Sequence, residues 1–372
     1  MARKIAEGSH AVAEVVRLLN PDVLAMYPIT PSTHIPERLT DFESDGELEG
    51  TVIRVESEFS AISALVGASA TGVRTYTATA SQGLALMHEI LFAASAMRLP
   101  IVITVINRAL SAPLNIFNDW QDSISERDTG WIQLYAEDSQ EAVDMMVQAY
   151  RIAEDERVLL PVMVCMDGFY LSHTYDVIDV PEDLKGFVPD YKAKYAYLDP
   201  ARPTTQGAWG MQEPYFQLRK ELELAIEASL PVIKEVHGEF AKSFGRGNGN
   251  GAIEVYGEGD VAVVSMASMC TNLKVLADKA GFQLVRVRCY RPFPKDDLRK
   301  ALEGKKAVAV FEKDVAYGTG HGALYMDLDG LVDAKIVNFI VGLGGLDVPV
   351  KELERMYNEI KEMDNHETRW QQ

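Results

Sequence analysis

Cysteine is scarce. Only Cys165, Cys270 and Cys289 occur among 372 residues, and no two of them are spaced as a CxxC pair. A cysteine-ligated iron–sulfur cluster or a structural zinc site takes four ligands, usually in close pairs. The chain is therefore not expected to carry such a group alone. An odd count without a disulfide pattern suits a reducing compartment. Cys165 and Cys270 lie in or beside apolar runs and read as small core residues.

Basic charge is also in short supply. Thirty-six Lys and Arg face 55 Asp and Glu, a formal net charge of −19. That excludes the basic face a nucleic-acid backbone favours. The acidic excess can keep a large assembly soluble or meet a basic electron carrier. Long apolar runs are missing too. Leu99–Val105 contains Pro100 and falls far short of the roughly 20 residues that span a bilayer. No apolar signal region follows the basic pair Arg3-Lys4. The expectation is a cytoplasmic protein that engages neither membrane nor nucleic acid. The seven histidines show no metal-ligand spacing, so no metal site is expected, and no Ser/His/Asp set can be read.

What is present is an alternation of short apolar runs with helix-period segments, which predicts an α/β fold around a mainly parallel sheet. Val23–Met26, Val73–Thr79, Ile101–Ile106 and Val158–Met166 read as buried strands. Ser9 reads as the cap of a helix with Val12, Val15, Val16 and Leu19 on its apolar stripe. A helix over Ser57–Ala70 presents Phe59, Ile62 and Val66 and carries many small residues. Ser81 reads as the cap of another, bearing Leu84, Met87, His88 and Leu91. Residues 172–215 are Pro- and Tyr-rich without a clear period and read as an extended excursion. A helix follows from about Tyr215 to Lys242 with Leu218, Leu222, Ile226 and Ile233 inward. The Gly-rich stretch 244–252 has linker composition, dividing the chain into residues 1–243 and 253–372. Beyond it, Asp260–Met266, Gln283–Arg288, Ala307–Phe311 and Ile336–Val341 read as strands, with helices at Cys270–Ala280 and Lys295–Leu302.

Chemistry is expected where parallel strands end, because open α/β sheets bind ligands there. Tyr27-Pro28-Ile29-Thr30-Pro31-Ser32-Thr33 follows a strand and offers three hydroxyls. Thr30 or Ser32 could equally cap the next helix. Glu58 stands at a helix start, where the dipole favours a carboxylate, and stabilising its own helix is the alternative role. Arg108 follows a strand and suits a carboxylate substrate, or pairs structurally with Asp119 or Asp122. Ser81-Gln82-Gly83 could meet an anion with backbone N–H groups. Gly318–Gly322 and Gly342–Gly345 read as permissive loops able to contact a partner or coenzyme.

These stretches, together with Thr77–Leu84, Asn107–Ser111, Asp119-Trp120-Gln121-Asp122, Glu126–Gly130, Asp167-Gly168-Phe169 and Tyr290–Pro294, resemble the α subunit of the pyruvate:ferredoxin and related 2-oxoacid:acceptor oxidoreductases. The match runs in order over most of the chain. It implies a pyrimidine-type thiamine-diphosphate-binding parallel-sheet domain, then a domain like the transketolase C-terminal domain. The Gly-Asp-Gly…Asn motif for magnesium diphosphate is missing from this chain. The resemblance therefore implies a β subunit that carries the diphosphate and Mg2+, a γ-type subunit and a ferredoxin-like subunit with [4Fe-4S] clusters. Electrons would pass on to ferredoxin or to a flavin/NAD subunit, and coenzyme A would take the acyl group. By the same resemblance Glu58 meets N1′ of the aminopyrimidine, Thr30 and Arg108 contact the substrate, and Tyr27, Pro28, Ile29, Ser81 and Gln82 line the cofactor. The Asn107–Ser111, Trp120 and Ser125–Thr129 region resembles branched-chain or aromatic 2-oxoacid enzymes somewhat more closely than some pyruvate enzymes. Pyruvate, 2-oxoisovalerate and phenylglyoxylate all stay open. So do two rival readings, a non-redox carboligase or transketolase-like subunit and a decayed scaffold paralogue.

Overall fold

A computed structural model describes residues 2–372 apart from Lys185 and Ala196. The chain first runs β1 (Ala2–Glu7), α1 (Gly8–Leu19), β2 (Val23–Met26), α2 (His34–Ser44), β3 (Thr51–Arg54), α3 (Glu58–Ser69) and β4 (Thr75–Thr79). It continues α4 (Ser81–Ala96), β5 (Val102–Asn107), α5 (Gln121–Ser125), β6 (Ile132–Tyr135), α6 (Ser139–Ala153), β7 (Val162–Asp167), β8 (Tyr175–Val180) and α7 (Gln212–Phe244). Then come β9 (Ile253–Tyr256), β10 (Val261–Met266), α8 (Met269–Ala280), β11 (Gln283–Val287), β12 (Cys289–Arg291), α9 (Lys295–Leu302) and β13 (Ala307–Glu312). Last are α10 (Ala323–Leu328), β14 (Lys335–Ile340), α11 (Val350–Glu359) and β15 (Thr368–Trp370).

Two sheets result. The seven-stranded one has the order β12-β6-β7-β5-β4-β2-β3, parallel except where β12 joins β6. Its strands β4 to β7 are buried at every position, as expected where helices cover both faces. The six-stranded sheet has the order β15-β14-β13-β10-β11-β9, with only β9 antiparallel. β12 lies beyond the Gly-rich stretch in sequence yet completes the edge of the first sheet.

Several local readings change. Ser9 does not cap α1; Glu7 holds that position, Gly8 is already helical, and the Ser9 hydroxyl is buried without a partner. The buried stripe of α3 is Ala61, Ile62, Leu65 and Ser69, while Phe59 faces outward. Residues 172–215 open with a true strand, β8, paired antiparallel with β1. Leu218 on α7 is 58% exposed, whereas Ile226 and Ile233 are inward. β6 escapes sequence reading because Gln133 interrupts its short apolar run; the buried amide donates from Nε2 to the Ser123 carbonyl at 2.8 Å, while its Oε1 has no partner among the described residues.

A buried ionic network joins the two sheets. Arg286 of β11 grips Glu141 of α6 bidentately, at 2.6 and 2.9 Å, and Arg288 adds a third bond at 2.8 Å. Burial alone would push the Glu141 carboxyl up, but the two guanidiniums outweigh it and hold it well below the usual carboxylate range. Removing one partner would strand a buried charge. We expect Arg286→Leu to cost about 3–5 kcal/mol in urea unfolding, and Lys306→Ala, on the exposed Lys306–Asp260 pair, to leave the midpoint in place. Equal shifts would show that burial gives the network no special weight.

Candidate functional site

Because β2, β4, β5 and β7 run parallel, their carboxyl ends meet along one edge. The Tyr27–Thr33 loop leaves β2 there, Glu58 opens α3, Ser81–Gly83 joins β4 to α4, and Asn107-Arg108 ends β5. The structure thus gathers all the predicted site residues on one edge.

Glu58 is set by its helix start. Ser57 caps α3 by accepting the Ser60 N–H, and Glu58 follows in the first turn, 6% exposed. Burial raises its carboxyl above the usual range, opposed by a hydrogen bond with its own backbone N–H. Among the described residues no other side chain hydrogen-bonds this carboxylate. A Cβ at residue 83 would lie 2.5 Å from Glu58 Oε1 and 2.6 Å from Thr79 Oγ1. Only glycine lets α4 pass this close. Thr79 Oγ1 and Gln82 Nε2 are buried without a partner.

Asp122, fully buried, organises the neighbouring strand ends. It accepts the Ser81 N–H at 2.9 Å, the Arg108 N–H at 2.9 Å, the Ser123 N–H at 2.7 Å and the Asn107 side-chain amide at 2.8 Å. Burial pushes its carboxyl up to about 7 against the pull of these donors. Two expectations fall here. Ala80, not Ser81, is the cap residue of α4, and the Ser81 N–H, read as open to an anion, is taken by Asp122. Ser81 sits at φ 51°, its hydroxyl donating to the Ala109 carbonyl at 2.5 Å.

Among the described residues Arg108 makes no ion pair. Its guanidinium donates to the Thr30 carbonyl at 2.7 Å and the Asn115 carbonyl at 3.0 Å, and neither Asp119 nor Asp122 takes it. The positive charge is therefore not internally neutralised, and burial lowers its pKa. Thr30 is exposed, Tyr27 and Ile29 half-buried, and Pro28 exposed. Neither Thr30 nor Ser32 caps α2. The Ser32 hydroxyl turns back to the Ile29 carbonyl at 2.8 Å, and Thr33 holds the cap position without a side-chain bond.

The second sheet reaches beneath this edge. Lys313, just past β13, lies 3.2 Å from Asp167 and 3.0 Å from Asn118. Trp120 donates its indole N–H to Asp167 at 2.9 Å, and Ser268 also donates to Asp167. The turn Leu343–Gly345 meets the segment after Arg108, with Asn115 donating to the Gly344 carbonyl at 2.9 Å. Sequence reading missed Asp122, Asp167 and Lys313 as organisers; Asp167 and Lys313 stand at the ends of largely apolar strands, a usable signal, whereas Asp122 lies in a short helix that offers none. A cleft of about 990 Å³ lined by Arg127, Arg219 and Arg291 lies by the start of β6, at the other end of the strands.

Fold and edge together define an α/β subunit of the thiamine-diphosphate class. Residues 14–237 match the family model described as pyruvate flavodoxin/ferredoxin oxidoreductase, thiamine diphosphate-binding. Residues 259–353 match pyruvate:ferredoxin oxidoreductase core domain II. The chain belongs to the 2-oxoacid:ferredoxin oxidoreductase α-subunit family. It is 48% identical to pyruvate synthase subunit PorA of Methanocaldococcus jannaschii, over 99% of this chain and 97% of that one. It is 38% identical to ketoisovalerate oxidoreductase subunit VorA of Pyrococcus abyssi, over 97% and 94%. A solved 2-oxoglutarate:ferredoxin oxidoreductase from Magnetococcus marinus, with 2-oxoglutarate, coenzyme A and succinyl-CoA bound, shares the fold at TM-score 0.74 and 20% identity. The match covers 96% of this chain and spans 65% of that one. Among the described residues no helix is long and apolar enough to cross a membrane.

The Asp122 geometry makes a direct prediction. In Asp122→Asn an NH2 group must face at least one N–H donor, so stability should fall by about 1–3 kcal/mol. Hydrogen exchange at the Ser81 and Arg108 amides should rise; unchanged protection at both would deny Asp122 its organising role.

Proposed function

We propose that this chain is the α subunit of a complex that oxidatively decarboxylates a 2-oxoacid to acyl-CoA and CO2. The observation that carries the reading is the cradle around Glu58: a buried acid with no side-chain partner among the described residues, a glycine whose Cβ would strike it, the unpaired Thr79 hydroxyl at that same glycine, and the unpaired Gln82 Nε2 in the same helix turn. These polar atoms fit an aminopyrimidine, which can donate and accept along one edge. Bound there, thiamine diphosphate supplies the electron sink for decarboxylation.

The chain's own residues then divide the work. Glu58 would hold a proton at the pyrimidine's N1′, and its burial, which raises the carboxyl above its ordinary range, favours keeping that proton. Arg108, with no carboxylate of its own, offers its charge to the substrate carboxylate, and its bond to the Thr30 carbonyl ties the Tyr27–Thr33 loop to that task. Tyr27, Pro28, Ile29, Ser81 and Gln82 form the walls, Ser81 contributing shape rather than its occupied N–H. Pyruvate is the substrate we assign, supported by the similarity to pyruvate synthase subunits across almost the whole chain. Trp120, which favoured a bulkier substrate on sequence grounds, is fully buried and bonded to Asp167, so it does not wall a substrate pocket. The reading assigns the diphosphate and Mg2+ to a β subunit. It assigns iron–sulfur clusters to partner subunits, the ferredoxin-like one among them, with a γ-type subunit completing the complex, and the last electron transfer to ferredoxin or a flavin/NAD subunit.

The purified complex should show cluster absorbance and reduce a viologen dye with pyruvate and coenzyme A, faster than with 2-oxoisovalerate or phenylglyoxylate. A colourless complex, or carboligation without dye reduction, would reject the redox assignment. Glu58→Gln should leave assembly intact and lower turnover by orders of magnitude. For Arg108→Ala we expect KM for the 2-oxoacid to rise far more than KM for coenzyme A; parallel changes would argue against a carboxylate clamp.

A further inference from the structure

Behind the Tyr27–Thr33 loop, where β1 ends and α1 and α2 begin, three ligand-type side chains converge. Glu7 closes β1 and flanks α1, His10 lies within the first turn of α1, and His34 is the first residue of α2. One carboxylate oxygen and two imidazole nitrogens lie within 4.8 Å of one another. Glu7 Oε1 is 2.6 Å from His34 Nδ1, and its carboxylate is only 6% exposed. Among the described residues no lysine or arginine pairs with it, although a buried carboxylate demands a compensating charge.

The surroundings fix the geometry. His173 packs on His34 with ring centroids 4.4 Å apart and planes tilted 34°. Its Nδ1 is engaged by the Ser172 hydroxyl at 2.7 Å, and Phe169 packs behind it at 4.7 Å. His173 therefore orients His34 and adds no ligand, the supporting role that neighbours of metal ligands commonly play.

We propose that Glu7, His10 and His34 bind one divalent transition cation of the zinc class per chain. Two imidazoles and one carboxylate form a borderline donor set suited to such ions, whereas Mg2+ and Ca2+ favour all-oxygen shells. Three protein ligands leave a position for water. The cation would tie the end of β1 to α1 and to the start of α2, directly behind the loop that carries Thr30. Histidine spacing in sequence hides this set, because α2 brings its ligand from a distant segment.

The test uses the full-length chain stripped with a chelator and titrated with zinc by calorimetry, then with cobalt by absorbance. One equivalent of zinc should bind, and cobalt should give ligand-field bands without thiolate charge transfer. Glu7→Gln, which keeps the side-chain shape, and the double variant His10→Ala/His34→Ala should each weaken zinc binding by about 100-fold or more. His366→Ala, on the C-terminal segment, should leave it unchanged, and zinc should raise Tm in the parent chain and in His366→Ala only. Absence of zinc binding by the parent chain, or undiminished binding in a folded Glu7→Gln protein, would overturn the proposal and leave a plain Glu–His hydrogen bond.

Discussion

The edge of the first sheet depends on one buried carboxylate. Asp122 takes four N–H donors from three consecutive pieces of chain, the β4–α4 junction, the end of β5 and the start of α5. Strand ends are where backbone N–H groups lose their ladder partners, and buried ones must find others. Asp122 supplies those partners at a single point. It therefore sets both the left-handed turn at Ser81 and the direction in which Arg108 leaves the sheet. Its burial is costly, and the four donors are the return that makes the burial tolerable.

Given that anchor, the placement of Glu58 follows from the lack of a side chain. α3 and α4 pack closely because α3 is rich in alanine and serine and α4 opens with Gly83. A methyl group at residue 83 would occupy space the Glu58 carboxylate fills. Close approach excludes water from the acid, and that exclusion raises its carboxyl above the ordinary range. The helix start at Ser57 favours the charged form, so two opposing influences of known origin act on one group.

Much of this was legible in the sequence. The buried strands announced themselves as continuous apolar runs, and the positions directly after them, Thr30, Ser81 and Arg108, were marked by chain polarity alone. Glu58 was legible as a helix-start acid but not as a buried one, since its burial comes from Gly83 on another helix. Asp122 was hidden in a short helix with no period, and Lys313 looked like any lysine after a strand. The strand β12 was invisible because three residues carry no periodicity, and its pairing with β6 is a tertiary event. Glu7, His10 and His34 failed every spacing test for the same reason. Helix capping, by contrast, misled at Ser9, Ser81 and Ser32, where the favoured residue type was present but its hydroxyl was drawn elsewhere or buried.

The contrast between Glu58 and Arg108 bears on why the chain should work only in company. Each is a charged or chargeable group held at the sheet edge without an internal counter-charge, while Glu141, Asp167 and Asp144 all pair with a guanidinium or an ammonium group. The fold thus meets the buried charges that join its sheets with cations, whereas Glu58 and Arg108 stand at the sheet edge with no ion-pair partner among the described residues. Unmatched groups of opposite sign along one edge suit a ligand that carries both a basic ring nitrogen and an acidic substrate partner. In the proposed function nothing in this chain's sequence offers the magnesium diphosphate motif that would hold the rest of that ligand. On the proposed function this edge acts as one wall of a site, and its affinity for the cofactor should depend on the partner that closes it.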